Sequence, residues 1–385
     1  MRRRGAIVLS LLVPVLVACD GQAPAEETAP QPTPTATSQS MTDPPVAPVM
    51  ETRLPADLAD VPVADIGLPA RMPTASESLP SLLDDPPGRA VMSYRPVESF
   101  DDPQGWSGEA FYVLGTDGGW RRLAMADLDL PEDWWPGHDM YGAGQVSPDG
   151  RWWAAYAGPN VLLMNLRTSE HRLVDLGTDR SVRFVRWLPD SRALQAFSNR
   201  ASEAHGVSST HLVRVSGNVR VSPYGPLAVA FEPDGTAVKF TAHHRLRWAD
   251  PATTPTKDAV PGWWHLQGDS WRSHHGERLS ILPIFRETAE VEDLLAVDRA
   301  TLEPAARLVN RRGGFVGPGE SMGISYGWLD DETLLTSTSS WLVTWAPAEG
   351  ELRRVVRMPR VPPYVWAGWS ASFALDLLGP HRLAR

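Results

Sequence analysis

An all-β fold of repeated four-stranded units is predicted by three features of the sequence. The 385 residues include 36 prolines, 31 glycines and 16 tryptophans, and no long run of helix formers interrupts them; such a chain favours short strands joined by turns. A turn marker recurs as Val146-Ser147-Pro148-Asp149-Gly150, Trp187-Leu188-Pro189-Asp190-Ser191 and Phe231-Glu232-Pro233-Asp234-Gly235. The marker prolines lie 41 and 44 residues apart, the spacing of blades in a β-propeller.

Each marker is a local instruction. An apolar or aromatic residue ends one strand, Pro and Asp set a tight turn, and Gly or Ser permits the return. New strands follow at once, as at Trp152 to Tyr156, Leu194 to Phe197 and Ala237 to Phe240. Degenerate copies occur at Asp85-Pro86-Pro87-Gly88-Arg89, His275-Gly276-Glu277-Arg278, Trp328-Leu329-Asp330-Asp331-Glu332 and Trp369-Ser370-Ala371. Only a short strand follows the last of these, so Tyr364 to Leu377 is expected to pair with strands between Arg89 and Asp127 in one composite blade. Closure of that kind removes the open sheet edges of the ring. Six blades are the first expectation and seven the second. The markers resemble the Trp-Ser-Pro-Asp-Gly repeat of TolB-type and WD40-like propellers over most of residues 85 to 378, a resemblance that implies fold and assigns no activity.

The N-terminus carries an address. Arg2, Arg3 and Arg4 precede the eleven-residue apolar run Ala6 to Leu16, which is too short to span a bilayer at about 20 residues per crossing and reads as a signal peptide. The run ends in Leu16-Val17-Ala18-Cys19, which resembles the lipobox of bacterial lipoproteins. The resemblance implies removal of residues 1–18 and lipidation of Cys19, with two acyl chains giving a stable anchor. The chain as a whole is also similar to uncharacterised actinobacterial lipoproteins with a propeller domain. Residues 19–78 are rich in Pro, Ala, Thr and acidic residues and read as a disordered tether. Short apolar patches near Val61 to Leu68 are positioned to dock on the folded part, but composition favours a solvated linker. The propeller domain is placed at 79–385.

Net charge and cysteine content narrow the function classes. The formal charge is −10, and it becomes −13 once the three signal arginines are gone, so nucleic acid is excluded as a partner class. Cys19 is the single cysteine, which excludes disulfides, thiolate clusters and a cysteine nucleophile from the folded domain. Gly319-Glu320-Ser321-Met322-Gly323 fits the serine-hydrolase elbow in spelling alone. Glycines and a proline stand where its preceding strand belongs, and the one downstream histidine is His381. Dipeptidyl-peptidase-like enzymes join such propellers to a catalytic domain, for which no further chain is expected here. The pairs His243-His244 and His274-His275, with His265 and Glu277, lack metal-helix spacing, so neither metal nor cofactor is expected. Sialidase-type propellers place one residue between Asp and Gly in their turns, whereas Asp149-Gly150 and Asp234-Gly235 are contiguous. Acidic doublets such as Asp84-Asp85, Asp101-Asp102 and Asp330-Asp331 read as turn formers.

Tryptophan doublets offer the remaining candidates. Trp152-Trp153 falls in a strand and reads as packing. Trp263-Trp264 is a third pair, and Trp134-Trp135 lies in the long connection between Leu128 and Met140, where paired indoles suit a binding platform. The expected function is a lipid-anchored, extracytoplasmic, monomeric propeller at the cell membrane. It acts as a non-catalytic binding or scaffolding module for an envelope protein or glycan, with Trp134 and Trp135 as ligand-binding candidates. The alternative is an extracellular hydrolase or glycan-active enzyme whose site is assembled across blades.

Overall fold

The structure, a computed structural model, describes residues 50–74, 77–96, 110–130, 144–177, 180–200, 209–224, 230–231, 236–240, 244–250, 253–259, 279–284, 292–298, 301, 303–310, 322–338, 340–358 and 369–379. Along the chain these form β1 (Met50–Arg53), β2 (Ala90–Pro96), β3 (Ala110–Gly115), β4 (Trp120–Ala124), β5 (Gln145–Val146), β6 (Trp152–Ala157), β7 (Asn160–Asn165) and β8 (His171–Asp175). Next come β9 (Arg180–Trp187), β10 (Ala193–Arg200), β11 (Ser209–Arg214), β12 (Val219–Val221), β13 (Ala230–Phe231), β14 (Ala237–Phe240), β15 (His244–Trp248) and β16 (Thr256–Ala259). The last are β17 (Leu279–Ile284), β18 (Glu292–Asp298), β19 (Pro304–Asn310), β20 (Met322–Trp328), β21 (Leu334–Thr338), β22 (Trp341–Ala346), β23 (Glu351–Arg357) and β24 (Trp369–Phe373).

Six four-stranded sheets result: β24-β2-β3-β4, β5-β6-β7-β8, β9 to β12 in order, β13 to β16 in order, β17-β18-β19-β1, and β20 to β23 in order. The fold is a six-bladed β-propeller, and these sheets are its first to sixth blades. Closure occurs where the repeat requires it: β24 pairs antiparallel with β2, Met92 opposite Phe373 and Pro96 opposite Trp369. The last marker, Trp369-Ser370-Ala371, forms no turn and lies within β24 itself; because β24 joins the strands that follow the first marker in one blade, seven markers make six blades.

The core lies between blades, because strand residues alternate between the two neighbours. On β6, Trp153, Ala155 and Ala157 pack with Phe111, Val113 and Leu123 of the first blade, while Ala154 and Tyr156 pack with Val185, Trp187 and Leu194 of the third. The same wedges recur between the sixth and first blades, with Tyr326 and Leu335 against Tyr94 and Leu114, and between the fifth and sixth, with Leu294 and Leu308 against Trp328 and Trp345.

The best turn marker is a structural lock. Ser147 Oγ donates to Asp149 Oδ1 at 2.7 Å and accepts from the Trp152 amide at 3.0 Å, and the Arg151 amide donates to Asp149 Oδ1 at 3.1 Å. Gly150 has φ +73°, and a Cβ there would stand 2.4 Å from the carbonyl oxygen of Ala90. That close approach lets the Ala90 amide donate to Gly150 O at 2.7 Å, while Arg89 Nε donates to Asp149 O at 2.9 Å and the Asp149 amide to Ser191 Oγ at 3.1 Å. One turn therefore joins three consecutive blades.

The domain boundary is corrected. The expected tether extended to residue 78, but from Met50 onward the described chain is a strap on the outer rim. β1 pairs parallel with β19, Met50 opposite Ala306 and Arg53 opposite Val309. Val63 and Arg71 bridge in parallel to Arg354 and Arg357 on β23, and Ser81 to Arg122 on β4. Leu58 and Val61 enter the core between the fifth and sixth blades, Ile66 and Met72 that between the sixth and first, and Leu82 that between the first and second. The apolar patches near Val61 to Leu68 do dock. In the fifth blade the His275-Gly276-Glu277-Arg278 marker precedes β17 as other markers precede β2, β6, β10, β14 and β21. This makes β17 a second strand and β19 the counterpart of the outer strands β4 and β23, with β1 added outside it. The strap covers the outer edges of three successive blades, the edges that would otherwise invite pairing with another chain.

Candidate functional site

Antiparallel pairing sends alternate connections to opposite ends of the ring. The marker turns among the described residues that precede β2, β6, β10 and β21 occupy one end. β2 and β4 run in the same direction and both finish at the other, β2 being followed in sequence by residues 97–109 and β4, past Leu130, by residues 131–143. In the seam between the first and second blades, Arg95 of β2 and Phe111 of β3 stand toward that end, and Trp153 of β6, just past the marker turn, packs against Phe111 from deeper in the seam with Gly144 over its indole.

Trp153 organises the seam. Its Nε1 donates to Ser93 Oγ at 2.9 Å, and its ring meets that of Phe111 edge to face, with centroids 4.9 Å apart at 69°. A Cβ at Gly144, whose φ is +68°, would stand 2.3 Å from Trp153 Cζ2, so only glycine lets the connection return over the indole. The Val146 amide donates to Ser372 Oγ at 2.7 Å, fastening β5 to β24.

Above this packing the Arg95 guanidinium carbon lies 5.3 Å from the Phe111 ring centroid. The Arg95 side chain is 7% exposed, and burial pushes its pKa below the ordinary guanidinium value. It stays protonated all the same, since guanidinium retains its charge in proteins. Chemically, the seam presents a buried cation on an aromatic face, an arrangement suited to recognition of an anionic group. Arg95 was not singled out by sequence. Its signal was its position two residues after Ser93 on the same face of β2, at the end of a strand that precedes a long connection.

The residues proposed from sequence fare differently. Cys19, Trp134 and Trp135 lie outside the described residues, as do Trp263, Trp264, Ser321, His243, His265, His274, His275 and Glu277. His244 opens β15 and is exposed. Trp153 is buried packing, as read. Asp330 forms its turn by accepting from the Glu332 and Thr333 amides at 2.9 and 2.6 Å. Asp85 does more than form a turn, since it pairs with Arg121 at 3.0 Å. Among the described residues no group of three or more His, Cys, Asp or Glu side chains is placed to hold a metal ion. None of their helices is long and apolar enough to cross a membrane.

No protein-family model and no curated protein matches the sequence. Solved structures do resemble the fold. An oligogalacturonate lyase in complex with manganese matches with 13% identity and a TM-score of 0.43 over 64% of this chain and 70% of the lyase. TolB from Agrobacterium tumefaciens matches with 10% identity and a TM-score of 0.40 over 74% of this chain and 97% of that one. An acylaminoacyl peptidase from Pyrococcus horikoshii matches with 15% identity and a TM-score of 0.38 over 64% of this chain, which spans 41% of the peptidase. The expectation that this chain is not an enzyme is corrected: a lyase and a peptidase stand beside TolB among the similar structures.

Proposed function

We propose that this protein is a bacterial lipoprotein, anchored by a lipidated Cys19 to the outer face of the cell membrane, whose propeller recognises an envelope protein or glycan. The actinobacterial resemblance and the lipobox-like Leu16-Val17-Ala18-Cys19 support the address. The ligand is engaged at the end of the ring where residues 97–109 and 131–143 emerge, with Trp134 and Trp135 as contacts. One observation carries this choice of end: the Ser147–Gly150 turn at the other end is consumed by hydrogen bonds within itself and to both neighbouring blades.

Proximity crosslinking and pull-down from intact cells test the reading, comparing the parent chain, Cys19→Ala, and the double variant Trp134→Ala/Trp135→Ala. Recovery of an envelope partner that is lost in both variants is expected. Equal recovery by all three overturns both the anchor and the proposed contact surface.

A further inference from the structure

Three arginines are more than nine-tenths buried among the described residues, and two of them are neutralised. Arg121, 6% exposed, is held by Asp117 at 2.7 Å and Asp85 at 3.0 Å. Arg245, 8% exposed, is held by Asp258 at 3.1 Å. Arg95, 7% exposed, has the face of Phe111 and, among the described residues, no carboxylate or hydrogen-bond acceptor.

A buried charge without a counter-charge is costly, and the aromatic face offsets only part of that cost. The contact over the Phe111 ring also leaves the N–H donors of the guanidinium uncommitted among the described residues. Their edge is a planar fork matched to two oxygens of a carboxylate, sulfate or phosphate. The other polar groups of the seam are already engaged, Ser93 with Trp153 and Ser372 with the Val146 amide.

We infer that Arg95 is an anion-recognition site, taking an oxyanion group of the ligand in the seam between the first and second blades. This rests on the proposed placement of the ligand at that end and adds its chemical class. Phe111 supports the guanidinium from beneath, and Trp153, clamped beneath Gly144, fixes Phe111.

The test uses the full chain as the soluble Cys19→Ala form, alone and with Arg95→Met, Arg95→Lys or the exposed control Arg167→Met. Thermal unfolding is followed with sodium sulfate, inorganic phosphate or sodium acetate as probe, at ionic strength held constant with sodium chloride. Without a probe, Arg95→Met is expected to unfold about 2 to 4 °C higher than the parent, because it removes an uncompensated buried charge while keeping the stem packed. At about twenty times its Kd, at least one probe raises the unfolding temperature of the parent and of Arg167→Met by roughly 3 °C more than that of Arg95→Met. Arg95→Lys, without the fork, responds weakly. Preference for sulfate or phosphate over acetate assigns a tetrahedral anion, and the reverse a carboxylate. A lower unfolding temperature for Arg95→Met overturns the inference, since it marks Arg95 as one half of a structural pair, for example with Glu98, Asp101 or Asp102. Equal responses of parent and Arg95→Met to every probe also overturn it. An envelope partner captured equally by parent and Arg95→Met, but lost on Trp134→Ala/Trp135→Ala, removes the anion assignment and leaves the placement of the ligand intact.

Discussion

Leu58 separates a strap from a tether more sharply than any other residue. In a solvated linker Leu58→Ala would cost nothing, but here Leu58 is fully buried in the cluster that holds Leu308, Trp328 and Trp345. Truncating a buried leucine loses both its transfer free energy and the packing around the cavity, about 2 to 5 kcal/mol in well-packed cores. The strap is held at its edges and can relax, so about 3 kcal/mol is expected. For a domain of this size that corresponds to a fall of about 6 °C in Tm, at roughly 2 °C per kcal/mol. Val63→Ala is the control, because Val63 lies on the same strap at 60% exposure and should change stability by less than about 0.5 kcal/mol. Both variants are to be unfolded by heat and by urea as Cys19→Ala proteins. If Leu58→Ala and Val63→Ala unfold within about 1 °C of each other, the strap contributes no packing and the argument for it fails.

Three further outcomes are expected. Gly150→Ala should destabilise by at least about 2 kcal/mol in urea unfolding, since a left-handed backbone costs an L residue about 1 to 2 kcal/mol and the new Cβ meets the Ala90 carbonyl; a change below 0.5 kcal/mol would show that the turn is free to move. Trp345 Nε1 donates to Thr52 Oγ1 at 3.0 Å, so Trp345→Phe should cost about 1 to 2 kcal/mol and less in a Thr52→Val background; an additive double-mutant cycle would deny the bond. Hydrogen bonding to Arg121 holds the Asp117 carboxyl below the usual aspartate range. Its folded pKa is thus lower than its unfolded one, and its stabilisation is complete above about pH 3.9 and lost as pH falls through the folded value. Asp117 is half exposed, so solvent screening keeps the effect under about 1 kcal/mol. The Tm difference between the parent and Asp117→Asn should close below pH 4, and a difference constant down to pH 2.5 would contradict the pairing.

Ring closure and blade number were legible because they are written in a repeat: three full markers place Pro, Asp and Gly or Ser at fixed offsets, degenerate copies continue the series, and a strand follows each full marker at once. The pairing of β24 with β2 came from the same counting. The strap was legible only in the apolar patches near Val61 to Leu68, because its pairing is carried by the backbone. The Ala64 amide donates to Arg354 O at 2.7 Å, the Arg354 amide to Pro62 O at 2.9 Å, and the Leu54 amide to Val309 O at 2.9 Å. Its buried residues, Leu58, Val61, Ile66, Met72 and Leu82, follow neither a two-residue nor a helical period, so no pattern announces them. Arg95 was hidden for a related reason. It packs over Phe111 of the next strand, and the lack of a carboxylate beside it among the described residues belongs to three-dimensional surroundings that strand phase alone does not reveal.

The central claim, that ligand recognition occurs at the end opposite the marker turns, is tested most directly by site-specific photocrosslinking in intact cells. A photoreactive residue is placed at position 134 in one strain and at position 190, on the exposed Asp190 of a marker turn, in another. The account predicts a discrete crosslinked envelope species from position 134 and none from position 190; a species from position 190 alone would contradict it.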